Sequence, residues 1–208
     1  AQALGKIPLD VGQLNIDLLS FTGHKIHGPK GIGGLYRRQN PGVRLAPQLL
    51  GGGQEGNFRS GTLPVPLIVG LAKALAIAAE KLVSEGDRQR QLRNKLWQGL
   101  GKISGVVLNG DYNQRLPGNL NVSITGVDPK ALLTALQPRL ALSSGSACSS
   151  YRTEASHVLY ALGRDKTSAQ ASLRFGLGRF TTEEEIDQAI AIVTDTVTRL
   201  RADASNQS

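Results

Sequence analysis

Residues 20–31 read Ser-Phe-Thr-Gly-His-Lys-Ile-His-Gly-Pro-Lys-Gly, and this stretch decides how the rest of the chain is interpreted. The apolar run over residues 16–21 predicts a buried strand, which ends at Thr22. His24 and Lys25 are therefore expected where the chain turns after that strand.

A lysine at the mouth of a buried strand differs chemically from a lysine on a helix surface. Partial desolvation lowers the pKa of an amine and frees it to attack a carbonyl carbon. The hydroxyl of Thr22 and the ring of His24 flank Lys25, and both side chains can contact an anionic ligand. We therefore interpret Lys25 as a Schiff-base lysine for pyridoxal phosphate. The alternative is a solvated lysine in a Gly/Pro-rich turn.

The composition is that of an ordinary globular protein. The chain has 208 residues, of which 40% are hydrophobic and 19% charged, and its formal net charge is +8. The basic residues are spread out without interleaved aromatic residues, which disfavours nucleic-acid binding and favours an acidic protein partner or an anionic ligand. No apolar run approaches the roughly 20 residues of a membrane span, so we expect a cytoplasmic protein with no membrane partner.

A glycine-rich loop occupies residues 51–62 and ends in Arg-Ser-Gly-Thr. Its Gly-x-Gly-x-x-Gly spacing is a weak dinucleotide signal, because the next helix is predicted to begin only after Pro64. We expect a bare backbone that approaches a phosphate closely, together with Arg59, Ser60 and Thr62. The alternative is a flexible surface loop.

A helical pattern from Val65 to Leu100 predicts a long helix that crosses between two domains. We place the boundary so that residues 1–86 form the first domain and residues 87–208 the second. The apolar face predicted for the first part of the helix comprises Ile68, Leu71, Ala72, Leu75, Ala79 and Leu82.

The second half alternates helices and strands, which predicts a small α/β layer domain. The predicted strands cover residues 106–108, 120–124, 140–142 and 172–175, and the predicted short helices cover 130–136 and 158–162. The last helix has a clear start, because Thr182 and Glu185 form a capping-box pattern. Residues 202–208 are expected to be a frayed polar tail.

Cys148 follows the predicted strand 140–142 in the run Ser-Ser-Gly-Ser-Ala-Cys over residues 143–148. A single cysteine is most often buried and inert. This run offers no large apolar side chain to pack, which favours an exposed, mobile loop. An exposed thiol can attack a substrate as the thiolate and leave carrying a sulfur atom.

Together these motifs resemble the pyridoxal-phosphate cysteine desulfurases, the NifS/IscS branch of the class V aminotransferase family of fold type I. The resemblance covers essentially the whole chain and rests on residues 20–31, 51–62, 143–148 and 172–182. It implies an α/β fold that is the C-terminal part of such an enzyme. Residues 1–86 would be the end of the large, mixed-sheet cofactor-binding domain. Residues 87–208 would be a small C-terminal domain carrying the cysteine loop.

The resemblance also implies cofactor contacts. Lys25 would form the Schiff base with pyridoxal phosphate, and His24, a catalytic candidate as well, would contact the cofactor. Gln2 would hydrogen-bond the pyridoxal hydroxyl, and Thr22 would contact the phosphate. Thr62 would reach the phosphate of the other subunit, which implies a homodimer. The family's aspartate for the pyridinium nitrogen would precede this sequence, so we expect the chain to be incomplete and inactive alone.

The implied reaction converts L-cysteine to L-alanine. Arg174 would bind the substrate carboxylate, because a planar two-pronged donor suits that group. Lys25 would move the α-proton, and Cys148 would attack the substrate sulfur and keep it as a persulfide. The sulfur would pass to an acceptor such as an iron–sulfur scaffold protein, with Cys148 as a candidate transient cluster ligand and no other metal site.

Two alternatives remain open. One is a selenocysteine lyase or another class V lyase, because the cofactor half is shared and only the cysteine loop and pocket set the substrate. The other is a non-catalytic fragment that keeps the fold and binds partners through its basic surface.

Overall fold

The computed structural model of the protein describes residues 1–39, 43–144 and 156–206. The chain divides into two compact units, Ala1–Ser84 and Glu85–Ser208, and the division falls inside one long helix. Both units mix helices and strands. None of the helices within the described ranges is long and apolar enough to cross a membrane.

The first unit contains an antiparallel hairpin, in which β1 (Leu18–Thr22) pairs with β2 (Gly33–Arg37) and Ser20 lies opposite Leu35. The predicted strand is present, but the prediction that it is buried was wrong. Leu18 is 42% exposed and Leu35 is 55% exposed. The reason is that this sheet has two strands in the described chain, so its apolar side chains lack a second covering layer.

A 3-10 turn, Gly23–Ile26, follows β1 directly and packs on helix α1 (Val65–Leu100). Ile26 is almost fully buried and shares a small core with Ala74 of the helix. A Cβ atom at Gly28 would lie 3.1 Å from the Ala74 Cβ. The turn therefore sits close to α1 because small residues face each other there.

Helix α1 is present as predicted, but the face that it buries in the first unit differs from the prediction. Ala72 and Ala79 are exposed, so their assignment to the buried face was wrong. Ala74 and Ala78 are buried instead. The small side chains are buried because another part of the chain comes close to the helix there. A Cβ at Gly5 would lie only 2.9 Å from the Ala78 Cβ.

The second unit is built on a four-stranded antiparallel sheet with the order β3-β4-β6-β5. Its elements in chain order are β3 (Val106–Leu108), β4 (Asn119–Ile124), α2 (Pro129–Leu136), β5 (Ser143–Ser144), α3 (His157–Ala161), α4 (Lys166–Gln170), β6 (Ser172–Gly176) and α5 (Glu183–Ser205). One face of the sheet covers the main core, where Leu96, Leu120 and Val193 are 1%, 1% and 0% exposed. The other face carries polar side chains.

The predicted strand at residues 140–142 was wrong. The backbone N–H of Leu140 donates to the Leu136 carbonyl at 2.9 Å, which prolongs the last turn of α2. Strand pairing begins only at Ser143, which lies opposite Arg174. The apolar run 140–142 therefore follows the end of α2 without strand pairing, and the polar residues after it, Ser143 and Ser144, form the strand.

The capping box that begins α5 is confirmed. The N–H of Glu185 donates to Thr182 Oγ1 at 3.2 Å, and the N–H of Thr182 donates to Glu185 Oε2 at 3.0 Å. The helix continues to Ser205, so the predicted fraying was wrong for residues 202–205. Arg201 explains the difference, because its guanidinium donates to two backbone carbonyls outside the helix, at 2.8 and 2.5 Å, and fixes the last turns.

Candidate functional site

The turn after β1 groups three polar side chains. Thr22 Oγ1 and His24 Nδ1 are 2.9 Å apart and are hydrogen-bonded. Lys25 is half-buried, and its ammonium has no hydrogen-bond or ion-pair partner among the described residues. A hydroxyl, an imidazole and an amine thus lie within one turn, a donor set that suits a small anionic ligand carrying an aldehyde.

Backbone hydrogen bonds close this turn tightly. The N–H of Gly23 donates to the Ile32 carbonyl, and the N–H of Gly28 donates to the Gly23 carbonyl, both at 2.9 Å. A Cβ at Gly23 would lie 2.9 Å from the carbonyl oxygen of Pro29, so the position accepts only glycine without rearrangement. The glycines of the motif therefore fix the place of Lys25.

The structure brings the segment of Gln2 to this turn. Gly5 approaches so closely that a Cβ there would lie 3.1 Å from Cγ2 of Ile26, the residue after Lys25. Gln2 itself is exposed. Thr62 is also exposed, and no hydrogen bond of the described residues joins it to the turn.

The glycine-rich loop is a compact turn that contains no α-helix, which agrees with the rejection of a dinucleotide fingerprint. Four of its residues have positive φ between 53° and 79°, namely Gly53, Glu55, Gly56 and Asn57. The side-chain oxygen of Gln54 accepts from the N–H of Gly61 at 2.9 Å and closes the loop. Beside it lies a cavity of about 950 Å³ whose lining includes Phe58, Arg59 and Leu63.

Arg174 lies in the middle of β6, opposite Asn121 on one side and opposite Ser143 on the other. Its side chain is half-buried, and no residue of the described ranges accepts a hydrogen bond from the guanidinium. A guanidinium held at a sheet face without a carboxylate partner is suited to binding an external anion.

Cys148 lies outside the described residues. The register of the sheet still constrains where its loop starts, because Ser143 and Ser144 pair with Arg174 and Leu173 of β6. The strand that precedes Cys148 in the chain, Ser143–Ser144, therefore pairs with β6 at Arg174 and Leu173.

A buried polar network lies on the same sheet face, and the sequence reasoning missed it. Asn109, Ser123 and Ser172 are 4%, 1% and 0% exposed. Asn109 Nδ2 donates to Asn121 Oδ1 at 2.7 Å and to Ser123 Oγ at 2.9 Å. The alternation of apolar and polar residues along β4 could have revealed this face, since an alternating strand has a polar side.

Two cations on the second unit support the segment that contains Asn109. Burial lowers the pKa of Arg93, which is 3% exposed and lies 5.5 Å from the centre of the Tyr112 ring. Burial also lowers the pKa of Arg115, whose Nη2 donates to the Asn109 carbonyl at 2.9 Å. These contacts hold the turn that follows β3.

No cluster of three or more His, Cys, Asp or Glu side chains within the described parts of the chain could hold a metal ion.

Known proteins resemble the chain in sequence and in structure. It is 54% identical over 200 residues to a cysteine desulfurase IscS of Aeromonas hydrophila, which covers 96% of this chain and 49% of that protein. A solved NifS-like protein superposes with a TM-score of 0.83 at 36% identity, covering 96% of this chain and 51% of the other. A NifS-like protein from Rickettsia africae gives the same TM-score of 0.83 at 28% identity, covering 95% and 52%.

The extent of these matches differs between the comparisons. The chain spans about half the length of the curated relatives it matches, 49% for the IscS of Aeromonas hydrophila. The sequence model described as Aminotransferase class-V matches residues 1–189, which is most of the chain. On this match, the chain belongs to the aminotransferase class-V family.

Proposed function

We propose that this chain is the C-terminal part of a pyridoxal-phosphate-dependent cysteine desulfurase, with residues 1–86 in the large domain and 87–208 in the small one. The observation that carries the proposal is the β5–β6 register, in which the strand leading to Cys148 pairs with the strand bearing Arg174. We therefore expect the Cys148 thiol to act on a substrate held at Arg174. The similarity to proteins named cysteine desulfurase supports the same activity.

The polar groups of the lysine turn fit the cofactor. The unpaired amine of Lys25 suits its aldehyde, and the hydrogen-bonded pair of Thr22 and His24 suits its phosphate. Gln2 would contact the pyridoxal hydroxyl, and Thr62 would contact the phosphate held by the partner subunit of a homodimer. The cofactor, when bound, supplies an electron sink for negative charge at the substrate Cα.

The residues of the chain would then divide the work on L-cysteine. Arg174 binds and orients the carboxylate. Lys25 takes the proton from Cα and returns it. The Cys148 thiolate attacks the substrate sulfur, so that an S–S bond forms and the Cβ–S bond breaks. Cβ keeps the electron pair and takes up a proton, which gives L-alanine and a persulfide on Cys148.

Chain length is compatible with this attack. Cys148 is four positions after Ser144, the last residue of β5. Four residues span at most about 14 Å. A thiol on a tether of this length would be able to reach a substrate held by Arg174.

The partners follow from the reaction. A persulfide must be handed on, so we propose a sulfur-acceptor or iron–sulfur scaffold protein in the cytoplasm as the recipient. The net charge of +8 favours an acidic acceptor. Cys148 is the residue that such an acceptor would have to approach.

Reductive trapping tests the cofactor part of the proposal. The full-length protein is loaded with pyridoxal phosphate and treated with borohydride, and its peptides are then mapped by mass. We expect the added mass on Lys25. Lys30→Ala is the matched control, because Lys30 belongs to the same motif but is exposed. Labelling of Lys25→Ala at wild-type level would refute the assignment.

Turnover separates the desulfurase from the two alternatives. In Cys148→Ala we expect no sulfide release from L-cysteine, while Lys25 is still labelled. Sulfide release at the wild-type rate would refute the persulfide step. Formation of L-alanine from L-selenocysteine but not from L-cysteine in the wild-type protein would favour the lyase. Absence of labelling and of turnover in the wild-type protein would favour a non-catalytic, partner-binding role.

A further inference from the structure

We propose that Asn121 is a second donor for the substrate carboxylate and acts together with Arg174. This inference rests on the proposed function, since it extends the carboxylate site of the same reaction. It is carried by the direction of a hydrogen-bond network that begins at Arg164 and ends at Asn121.

The network has a fixed direction because a guanidinium only donates. Arg164 Nε donates to Asn109 Oδ1 at 2.6 Å, and Arg164 Nη2 donates to the Leu108 carbonyl at 2.7 Å. The Asn109 side chain must therefore present its oxygen to Arg164 and its nitrogen to the opposite side. There Asn109 Nδ2 donates to Asn121 Oδ1 at 2.7 Å.

This direction determines what Asn121 has left to offer. Its oxygen is occupied by Asn109, so the free part of the amide is the Nδ2 group with its two hydrogens. Asn121 is half-buried, and none of the described residues accepts a hydrogen bond from that nitrogen. Asn121 therefore has both of its donor hydrogens available on the face on which it stands.

The sheet register places these donors beside Arg174. Asn121 of β4 lies directly opposite Arg174 of β6. The next opposed pair on the same face, Ser123 and Ser172, has its two hydroxyl oxygens 2.8 Å apart. This pair shows that opposed polar side chains on the face can come within hydrogen-bonding distance of one another.

Two neighbouring donor groups with no acceptor among the described residues are available to an acceptor from outside. A guanidinium and an amide N–H₂ group both donate hydrogen bonds, so both can bind one carboxylate. The carboxylate would accept from the two-pronged guanidinium of Arg174, and one of its oxygens would also accept from Asn121. Asn121 is thus a substrate-binding residue, and Asn109 and Arg164 are positioning residues that keep its amide in the donating orientation.

Calorimetric titration of the full-length, cofactor-loaded protein tests this inference. The probes are L-alanine, which has a carboxylate, and L-alaninamide, which has none. In Asn121→Ala we expect L-alanine to bind about 10-fold to 100-fold more weakly, because a hydrogen bond to a charged group is lost. Binding of L-alaninamide should stay within about twofold. Asn121→Asp keeps the oxygen that Asn109 needs and should weaken L-alanine further, because it adds a like charge.

Asn119→Ala is the matched control, because Asn119 lies on the same strand and face but opposite Gly176. It should leave both dissociation constants unchanged. Equal weakening of both probes in Asn121→Ala would indicate a structural role and overturn the inference. If Arg174→Gln weakens L-alanine selectively and neither Asn121 variant does, this inference fails and the proposed function stands. If Arg174→Gln has no selective effect either, the carboxylate site of the proposed function fails as well.

Discussion

Pro29 of the lysine turn packs directly against Gly70 of helix α1. A Cβ atom built at Gly70 would lie 2.6 Å from Cγ of Pro29, which is closer than such atoms approach in folded proteins. The glycine thus creates the space in which the Gly-Pro-Lys-Gly end of the motif lies on the helix. A residue far from Lys25 in sequence thereby fixes the position of the lysine turn.

We predict that Gly70→Ala destabilises the protein although alanine is the better helix former. The proline ring is rigid and cannot yield cheaply, so overpacking should lower the free energy of unfolding by about 1–3 kcal/mol. Urea unfolding measures this change. Trapping of the cofactor on Lys25 should decrease in parallel, because the turn must shift.

Gly86→Ala is the control within the same helix. The nearest atom to a Cβ there, Cγ of Pro117, lies 3.8 Å away, which is ordinary contact. We expect this variant to gain stability by about 1 kcal/mol from helix propensity alone. If Gly70→Ala gained as much as Gly86→Ala, the contact with Pro29 would have no energetic consequence.

Arg88 is predicted to anchor the segment that follows β6. Its guanidinium donates to the backbone carbonyls of Thr181 at 2.7 Å and Gly178 at 3.0 Å, and also to that of Arg179. Arg88→Met leaves these carbonyls without their donor, and we expect the free energy of unfolding to fall by about 2 kcal/mol.

Arg90→Met is the matched comparison for Arg88→Met. Arg90 forms an exposed ion pair with Asp87 at 2.6 Å, and such pairs contribute little to stability. Its removal should change the free energy of unfolding by less than about 0.5 kcal/mol. If Arg88→Met and Arg90→Met lowered the free energy of unfolding by similar amounts, the three carbonyl contacts of Arg88 would contribute no more to stability than the exposed ion pair.

Local sequence signals predicted the elements with strong internal patterns. The capping box of Thr182 and the apolar repeat of α1 depend on residues a few positions apart, so they can be recognised in the sequence. Helix α4 was missed, although Asp165 caps it by accepting from the N–H of Ser168 at 2.8 Å. Its five residues, Lys-Thr-Ser-Ala-Gln, include a single apolar side chain, so no apolar pattern marks them, whereas the equally short α3 contains Val158 and Leu159.

What the sequence could not predict depends on contacts between distant segments. The buried face of α1 follows Ala74 and Ala78 because Gly28 and Gly5 approach them, and no periodicity contains that information. The candidate site also has a part that local sequence predicts and a part that depends on contacts between distant segments. The lysine motif was recognisable, but the place of Asn121 opposite Arg174 depends on a strand register that only the structure gives.

If the lysine turn holds the proposed cofactor, the hydrogen bond between Thr22 and His24 should affect how tightly it is retained. Thr22→Val removes the hydroxyl but keeps the β-branched shape, which leaves His24 Nδ1 without this partner. We expect pyridoxal phosphate to dissociate at least about tenfold faster, since a hydrogen bond is lost at a charged ligand. Thr22→Ser keeps the hydroxyl and should behave as the wild type. Release is followed by the loss of the cofactor's visible absorption, and equal release from Thr22→Val and the wild type would contradict the prediction.

The last prediction concerns the pH dependence of stability through Asp165. Hydrogen bonds from the backbone N–H and then the hydroxyl of Ser168 lower the pKa of Asp165 below its ordinary value of 3.8. A carboxyl whose pKa is lower in the folded chain stabilises it at pH values above the unfolded pKa. That contribution is lost as the pH falls through the folded pKa.

We therefore expect Asp165→Ala to unfold at a lower temperature than the wild type at pH 7, with a difference that shrinks as the pH falls below 3.8. Asp165→Asn separates charge from capping, because asparagine also caps helices but does not titrate. Its difference from Asp165→Ala should stay constant with pH in thermal unfolding, whereas an equally constant difference between the wild type and Asp165→Ala would rule out the linkage.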